Sequence, residues 1–202
     1  MTNVRRGRPR TFETERVLDD AMDLFWRQGY RSTTTRDLEA SLGVTQSSLY
    51  HAFGSKAQLL DSALARYQTR LDHELLGPLR TSADGLDAID AFLAGLSAWL
   101  LADDTRGCLL GKMMSESDPP EPVVASRVAA WHDEIRAALE AALVRASQAG
   151  EVHADDVDDR VALIVGIVLG MNLAVNAGFG ASEVGAIAAA GRAEVARWRL
   201  GG

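Results

Sequence analysis

The sequence predicts an all-α fold in two parts: a short three-helix unit at the N-terminus and a larger helical body behind it. Three observations carry this. Apolar residues recur at spacings of three and four along most of the chain, whereas β-branched residues form no alternating run. Gly and Pro punctuate these periodic stretches where helices are expected to stop. Hydrophobic residues make up 47% of the 202 residues against 24% charged, enough to bury a core and too apolar for a disordered chain.

Taken in order, MTNVRRGRPR reads as a mobile arm, and residues 1–11 are set apart as a flexible basic segment. A first helix is expected from about Glu13 to Gln28, with Val17, Leu18, Ala21, Leu24 and Phe25 on one face and Gly29 as its stop. Thr34 caps a second helix, with Asp37 three residues on in the manner of a capping box, and Leu42-Gly43 ends it. Thr45 caps a third helix, Gln46 to about Phe53. Ser55 caps a fourth that continues towards Leu76, where Gly77-Pro78 is expected to break the chain.

Behind that break, Leu86, Ile89, Leu93, Leu96 and Leu100 form one apolar seam from Asp84 onward. Residues 106–117 read as a shorter helix or turn containing Gly107-Cys108-Leu109-Leu110. Pro119, Pro120 and Pro122 mark a loop, and helix returns from Val123 to Ala149. Asp155 to Asn176 is apolar nearly all round and is therefore expected to be buried. Gly166 and Gly170, four apart, would permit close approach by another helix. Ser182 to Arg199 forms the last helix.

The stretch ALIVGIVLGMNLAVNAGFG, residues 162–180, is almost long enough to span a bilayer. It contains Asn172 and Asn176, and its upstream flank is acidic rather than basic or aromatic. A helix buried in a subunit interface is the preferred reading, with no membrane partner. The lone Cys108 excludes an intrachain disulfide and fits a reducing, cytoplasmic compartment. The basic N-terminus has no apolar stretch behind it, so no secretory signal is expected.

Net charge is −7, which at first argues against a polyanionic partner. Its distribution points the other way. Residues 1–56 hold nine Arg/Lys against seven Asp/Glu, net +2, and residues 57–202 hold twelve against twenty-one, net −9. A basic head and an acidic body suit a protein that meets nucleic acid with one end.

Thr34 to Phe53 thus has the layout helix, Gly-containing tight turn, helix, which is that of a DNA-reading helix-turn-helix. At 100° per residue, Leu49, Ala52 and Phe53 fall on one side of the third helix. Gln46, Ser47, Tyr50 and His51 share the opposite arc, and Ser48 lies between the two. Gln pairs bidentately with adenine, and Tyr and His donate to phosphate oxygens.

AMDLFWRQGY followed by TTRDLEASLGVTQSSLYHAFGSKAQLL resembles the N-terminal domain of TetR-family transcriptional regulators. The most specific part is the fixed spacing of Leu42-Gly43-Val44, Leu49-Tyr50, Phe53, Lys56 and Leu59. The close resemblance spans about a quarter of the chain; the rest matches in helical layout.

The resemblance implies a helix-turn-helix DNA-binding domain over residues 12–60 and a ligand-binding and dimerisation domain over 61–202. It places Gln46, Ser47 and Ser48 against bases, beside Thr45. Thr35 and Arg36 fall at the DNA backbone, Arg36 also within reach of a base, and Tyr50, His51 and Lys56 fall at phosphates. Packing of the Tyr50 ring and plain solvation of Lys56 are the alternative roles. Ala52 departs from the family pattern: many members carry a larger side chain at this position. Gly7-Arg8-Pro9-Arg10 resembles a minor-groove hook, with non-specific phosphate attraction as the alternative.

The same resemblance implies a homodimer on a palindromic operator, repression relieved by a small-molecule effector, and no cofactor. Candidates for lining an effector cavity are Trp99, Cys108, Met113, Met114, Trp131 and Phe179, with core packing as each one's alternative role. Catalysis is not expected. His51, His73, His132 and His153 form no metal-ligand spacing, Cys108 has no C-x2-C partner, and no phosphate loop or nucleophile elbow occurs. The rival within the fold is an architectural nucleoid protein that binds DNA without a ligand.

Overall fold

A computed structural model describes residues 10–105, 107–116, 119, 121–153 and 156–200, without the side chains of 10–13 and 103–105. The proposed arm, residues 1–9 with Arg5, Arg6 and Arg8, lies outside the described residues. Arg10 already belongs to the first helix, α1 (Arg10–Gln28), which therefore starts earlier than Glu13. It is followed by α2 (Thr35–Leu42), α3 (Gln46–Phe53) and α4 (Lys56–Leu71). The body comprises α5 (Gly77–Thr81), α6 (Gly85–Thr105), α7 (Leu109–Ser115), α8 (Pro122–Gln148), α9 (Val157–Asn176) and α10 (Ala181–Arg197).

Gly77-Pro78 does not break the chain. A π-helical segment, Asp72–Leu76, carries α4 into α5, and Pro78 stands in the first turn of α5. A proline there forfeits an N–H that has no helical partner anyway.

The head and the body share one core through Tyr67 of α4, which is fully buried. Its ring meets Trp26 of α1 edge-on at 5.2 Å and Trp99 of α6 at 6.2 Å. Its hydroxyl accepts from Trp99 Nε1 at 3.3 Å and from the Leu109 N–H at 3.4 Å, so one side chain ties four helices. Asp19 of α1 is held by a bidentate Arg66 of α4, 2.5 and 2.7 Å, and Asp61 of α4 by Arg127 of α8 at 2.7 Å.

In the body, α6 is covered by α8, α9 and α10. Close backbone approach occurs at Gly85, where a Cβ would collide with the Ala142 carbonyl, and at Gly191, hemmed by Ile167 and Leu93. Gly166 and Gly170 play no such part within the chain: a Cβ at either meets nothing within 4 Å. Nor is α9 buried all round. Val161, Ile164, Val165, Val168 and Met171 face the core, while Leu163 (44% exposed), Leu169 (58%) and Leu173 (70%) do not. Among the described residues the helix long and apolar enough to cross a membrane is Gly85–Ala102 in α6, not the 162–180 stretch, and it is a covered core helix.

Candidate nucleic-acid interface

The turn between α2 and α3 is built from the backbone outward. Gly43 takes a left-handed conformation, φ 66°, and returns its N–H to the Glu39 carbonyl, which closes α2. Thr34 and Asp37 form the expected capping box, with the Thr34 N–H donating to Asp37 at 2.7 Å. These bonds hold the Asp37 carboxyl below its usual range.

Side-chain oxygens seat the start of α3. Thr45 Oγ1 accepts from the Ser48 N–H at 3.3 Å and bonds the Ser47 and Ser48 hydroxyls at 3.2 and 3.0 Å. Glu39 accepts from the Gln46 N–H at 2.6 Å, tying α2 to the first residue of α3. Sequence reasoning misses Glu39, because a carboxylate seven residues upstream lies outside the local capping pattern.

Leu49 anchors α3 in the core at 1% exposure, and Arg36, Thr45, Gln46, Ser47, Ser48 and His51 stand exposed around it. No partner for the Gln46 or Arg36 side chain is found among the described residues. Thr35, Tyr50 and Lys56 are half-buried. The Thr35 and Tyr50 hydroxyls meet at 3.2 Å, joining α2 to α3 at the same surface. Lys56, the first residue of α4, lies over the Tyr30 ring at 4.3 Å, and burial lowers its pKa. Ala52, expected on the inward side with Leu49 and Phe53, is exposed. An eight-residue helix resting on one buried leucine covers too narrow an arc to reach it.

The body contains a cavity of about 120 Å³ between α7, α8 and α9, reached by Cys108, Met114 and Trp131. Trp99 faces a neighbouring crevice shared with Cys108 and Trp131. Two of the expected lining residues fall elsewhere. Met113 is buried core on the other side of α7, and Phe179 is 54% exposed beyond the end of α9. Burial raises the Cys108 thiol pKa, which disfavours the thiolate that redox chemistry needs.

α7 joins this cavity to the head. Cys108, Leu110, Gly111 and Met114 line the cavity, while Lys112 donates to the Trp26 carbonyl and, at 3.3 Å, to the Arg27 carbonyl at the end of α1. Glu116, just past α7, accepts from the Tyr30 and Arg31 N–H groups at 3.0 and 3.1 Å. Gly29 meets the backbone demand of this turn: its φ is +87°, a conformation that other residues rarely adopt. Both ends of a turn in the head are thus held by one short helix of the body. Nothing in the sequence signals these contacts, whose partners stand 85 or 86 residues apart.

Two family models match the chain: bacterial regulatory proteins of the tetR family over residues 17–63, and the tetracyclin repressor-like C-terminal domain over 85–182. The chain belongs to the TetR family. It is accordingly a helix-turn-helix, DNA-binding transcriptional regulator. It is 29% identical over 153 residues to YezE, an HTH-type transcriptional regulator of Bacillus subtilis, covering 75% of this chain and 79% of that one. It is 27% identical over 176 residues to the transcriptional repressor ComR of Escherichia coli, covering 86% and 84%. A TetR transcriptional regulator from Chloroflexus aurantiacus has the same fold, with TM-score 0.82, 24% identity and 94% and 96% of the two chains covered. So does the TetR regulator CifR, solved as a cysteine mutant with 26-bp operator DNA, at TM-score 0.79, 24% identity and 92% and 98% covered.

Proposed function

We propose that this TetR-family member is a cytoplasmic repressor, without catalytic activity, that grips a palindromic operator as a homodimer and is released by a small molecule. The observation that carries the reading is the α3 surface. The Gln46 and Ser48 N–H groups at its start are taken by Glu39 and Thr45, which leaves the Gln46 side chain free to reach base edges in the major groove. Thr35, Tyr50, His51 and Lys56 flank it as phosphate contacts, Arg36 and the two serines completing the set. Operator-bound CifR shares the fold, and ComR carries the name of a repressor.

The open face of α9 supports dimerisation. Leu163, Leu169 and Leu173 expose an apolar strip next to Gly166 and Gly170, whose missing side chains admit a second copy closely. The position of α7 supports release, because its residues line the cavity and also hold the α1–α2 turn. A ligand that displaces Cys108 or Met114 shifts Lys112 and Glu116, and with them the spacing of two heads.

Genomic footprinting tests the reading. Protection at a few palindromes near promoters, relieved when effector is present, is the expected outcome. Many dispersed sites without relief would instead establish an architectural protein.

A further inference from the structure

The cavity between α7, α8 and α9 has walls specific enough to name the chemistry that fits them. Among the described residues no Asp, Glu, Lys or Arg lines it; its polar groups are Asn172, His132 and the neutral thiol of Cys108. An ammonium entering it would lose its water shell with no carboxylate to pair with, and a carboxylate would find only the His132 imidazole, which already faces Asp133 at 3.4 Å. Val128, Ile135, Val165 and Val168 make the walls apolar, and Trp131 offers an aromatic surface. Met114 and Cys108 supply sulfur atoms of the kind that pack against ring edges.

One polar atom is left over. Asn172 Nδ2 donates to the Val168 carbonyl on its own helix at 2.9 Å, while Oδ1 is buried with no partner among the described residues. A buried amide oxygen without a donor is destabilising, and a ligand hydroxyl would remove that cost. Size sets the other limit. The space is about 120 Å³, and apolar cavities of about 150 Å³ take up a single benzene ring.

We propose that this cavity binds a neutral, single-ring molecule with one hydrogen-bond donor, of the phenol class, its hydroxyl donating to Asn172 Oδ1. This identification rests on the reading of the cavity as the effector site. Binding and release are therefore measured separately on the full chain, by calorimetry without DNA and by fluorescence anisotropy with operator.

Phenol, toluene and benzoate are the probes. Phenol should bind, toluene should bind at least about tenfold more weakly for want of the donor, and benzoate should not bind at neutral pH. In Asn172→Leu the order of phenol and toluene should reverse. Wild-type protein that fails to bind phenol, binds toluene equally well, or prefers benzoate overturns the proposal without reference to any variant. Phenol that binds in the predicted order yet leaves the operator complex intact upholds the ligand class and refutes the effector reading.

Discussion

The α3 surface and the outer face of α9 are both unfinished, in opposite ways. On α3 the N-terminal backbone is capped and polar side chains are left exposed, Gln46 and His51 among them. On α9 Leu163, Leu169 and Leu173 stand exposed, with no exposed polar side chain between them. The first surface calls for a partner rich in acceptors and charge, the second for one with no water to hold. Operator DNA meets the first demand and, in the proposed dimer, a second copy of the chain meets the other; the same contrast separates what salt does to each.

The steepest effect is expected from salt. With about eight phosphates neutralised by the proposed dimer, log affinity should fall against log salt with a slope near −7, about 10⁴-fold between 50 and 200 mM. Operator titrations at four or five salt concentrations read it directly. Dimer dissociation, followed by sedimentation over the same range, should barely move. A slope shallower than about −2 would mean that the head does not grip the backbone.

Next in size is Gly170→Arg. Within one chain the substitution has room, since nothing lies within 4 Å of its Cβ. In a dimer it forces an unpaired charge into a dry contact, costing about 3–5 kcal/mol. Sedimentation should show monomers whose helical circular dichroism is kept, and specific operator binding should be largely lost. A variant that remains dimeric places the interface elsewhere.

Smaller and more selective is Gln46→Ala, expected to cost about 1–3 kcal/mol on the preferred site and little on others. Lys56→Ala should weaken all sequences alike, with the slope on salt reduced by about two, one for each protomer. Uniform loss from both variants would remove Gln46 from base reading.

The smallest effect is local. Thr34→Ala breaks the cap of α2 and should lower stability by about 1 kcal/mol, read as a shift in the denaturant midpoint. The cap also has a pH signature. The Asp37 carboxyl is held low in the folded state, so its contribution is present above the ordinary carboxylate range and fades as pH falls through it. The gap between wild type and Thr34→Ala should therefore narrow in acid, where the hydroxyl's bond to the Asp37 carboxylate is lost while its bond from the Asp37 N–H remains; a gap that stays constant with pH would contradict the capping box.

What is legible in the sequence is local. Capping at Thr34, Thr45 and Ser55, the Gly43 turn and the apolar face led by Leu49 all depend on neighbours within a few residues, and α2, α3 and α4 begin where the sequence places them. Contacts across the fold are not legible. Glu39 on Gln46, Glu116 on the turn after α1, and the position of Phe179 outside the cavity are fixed by tertiary packing. Gly77-Pro78 misleads because proline breaks a helix interior but suits a first turn, and the π-helical segment that creates that first turn has no marker of its own. Gly166 and Gly170 stand out by their spacing, yet close approaches inside the chain fall instead at glycines such as Gly85 and Gly191, which no spacing marks.

The most direct test of a dimeric reading head is selection of bound duplexes from random DNA by the wild-type protein. The account predicts an enriched inverted repeat whose half-site centres lie about one helical turn apart, roughly 34–36 Å, as two α3 helices related by a two-fold axis require. It further predicts that Gln46→Ala selects a degenerate version of the same repeat. Enrichment of a single unpaired site, or of no sequence at all, would contradict it.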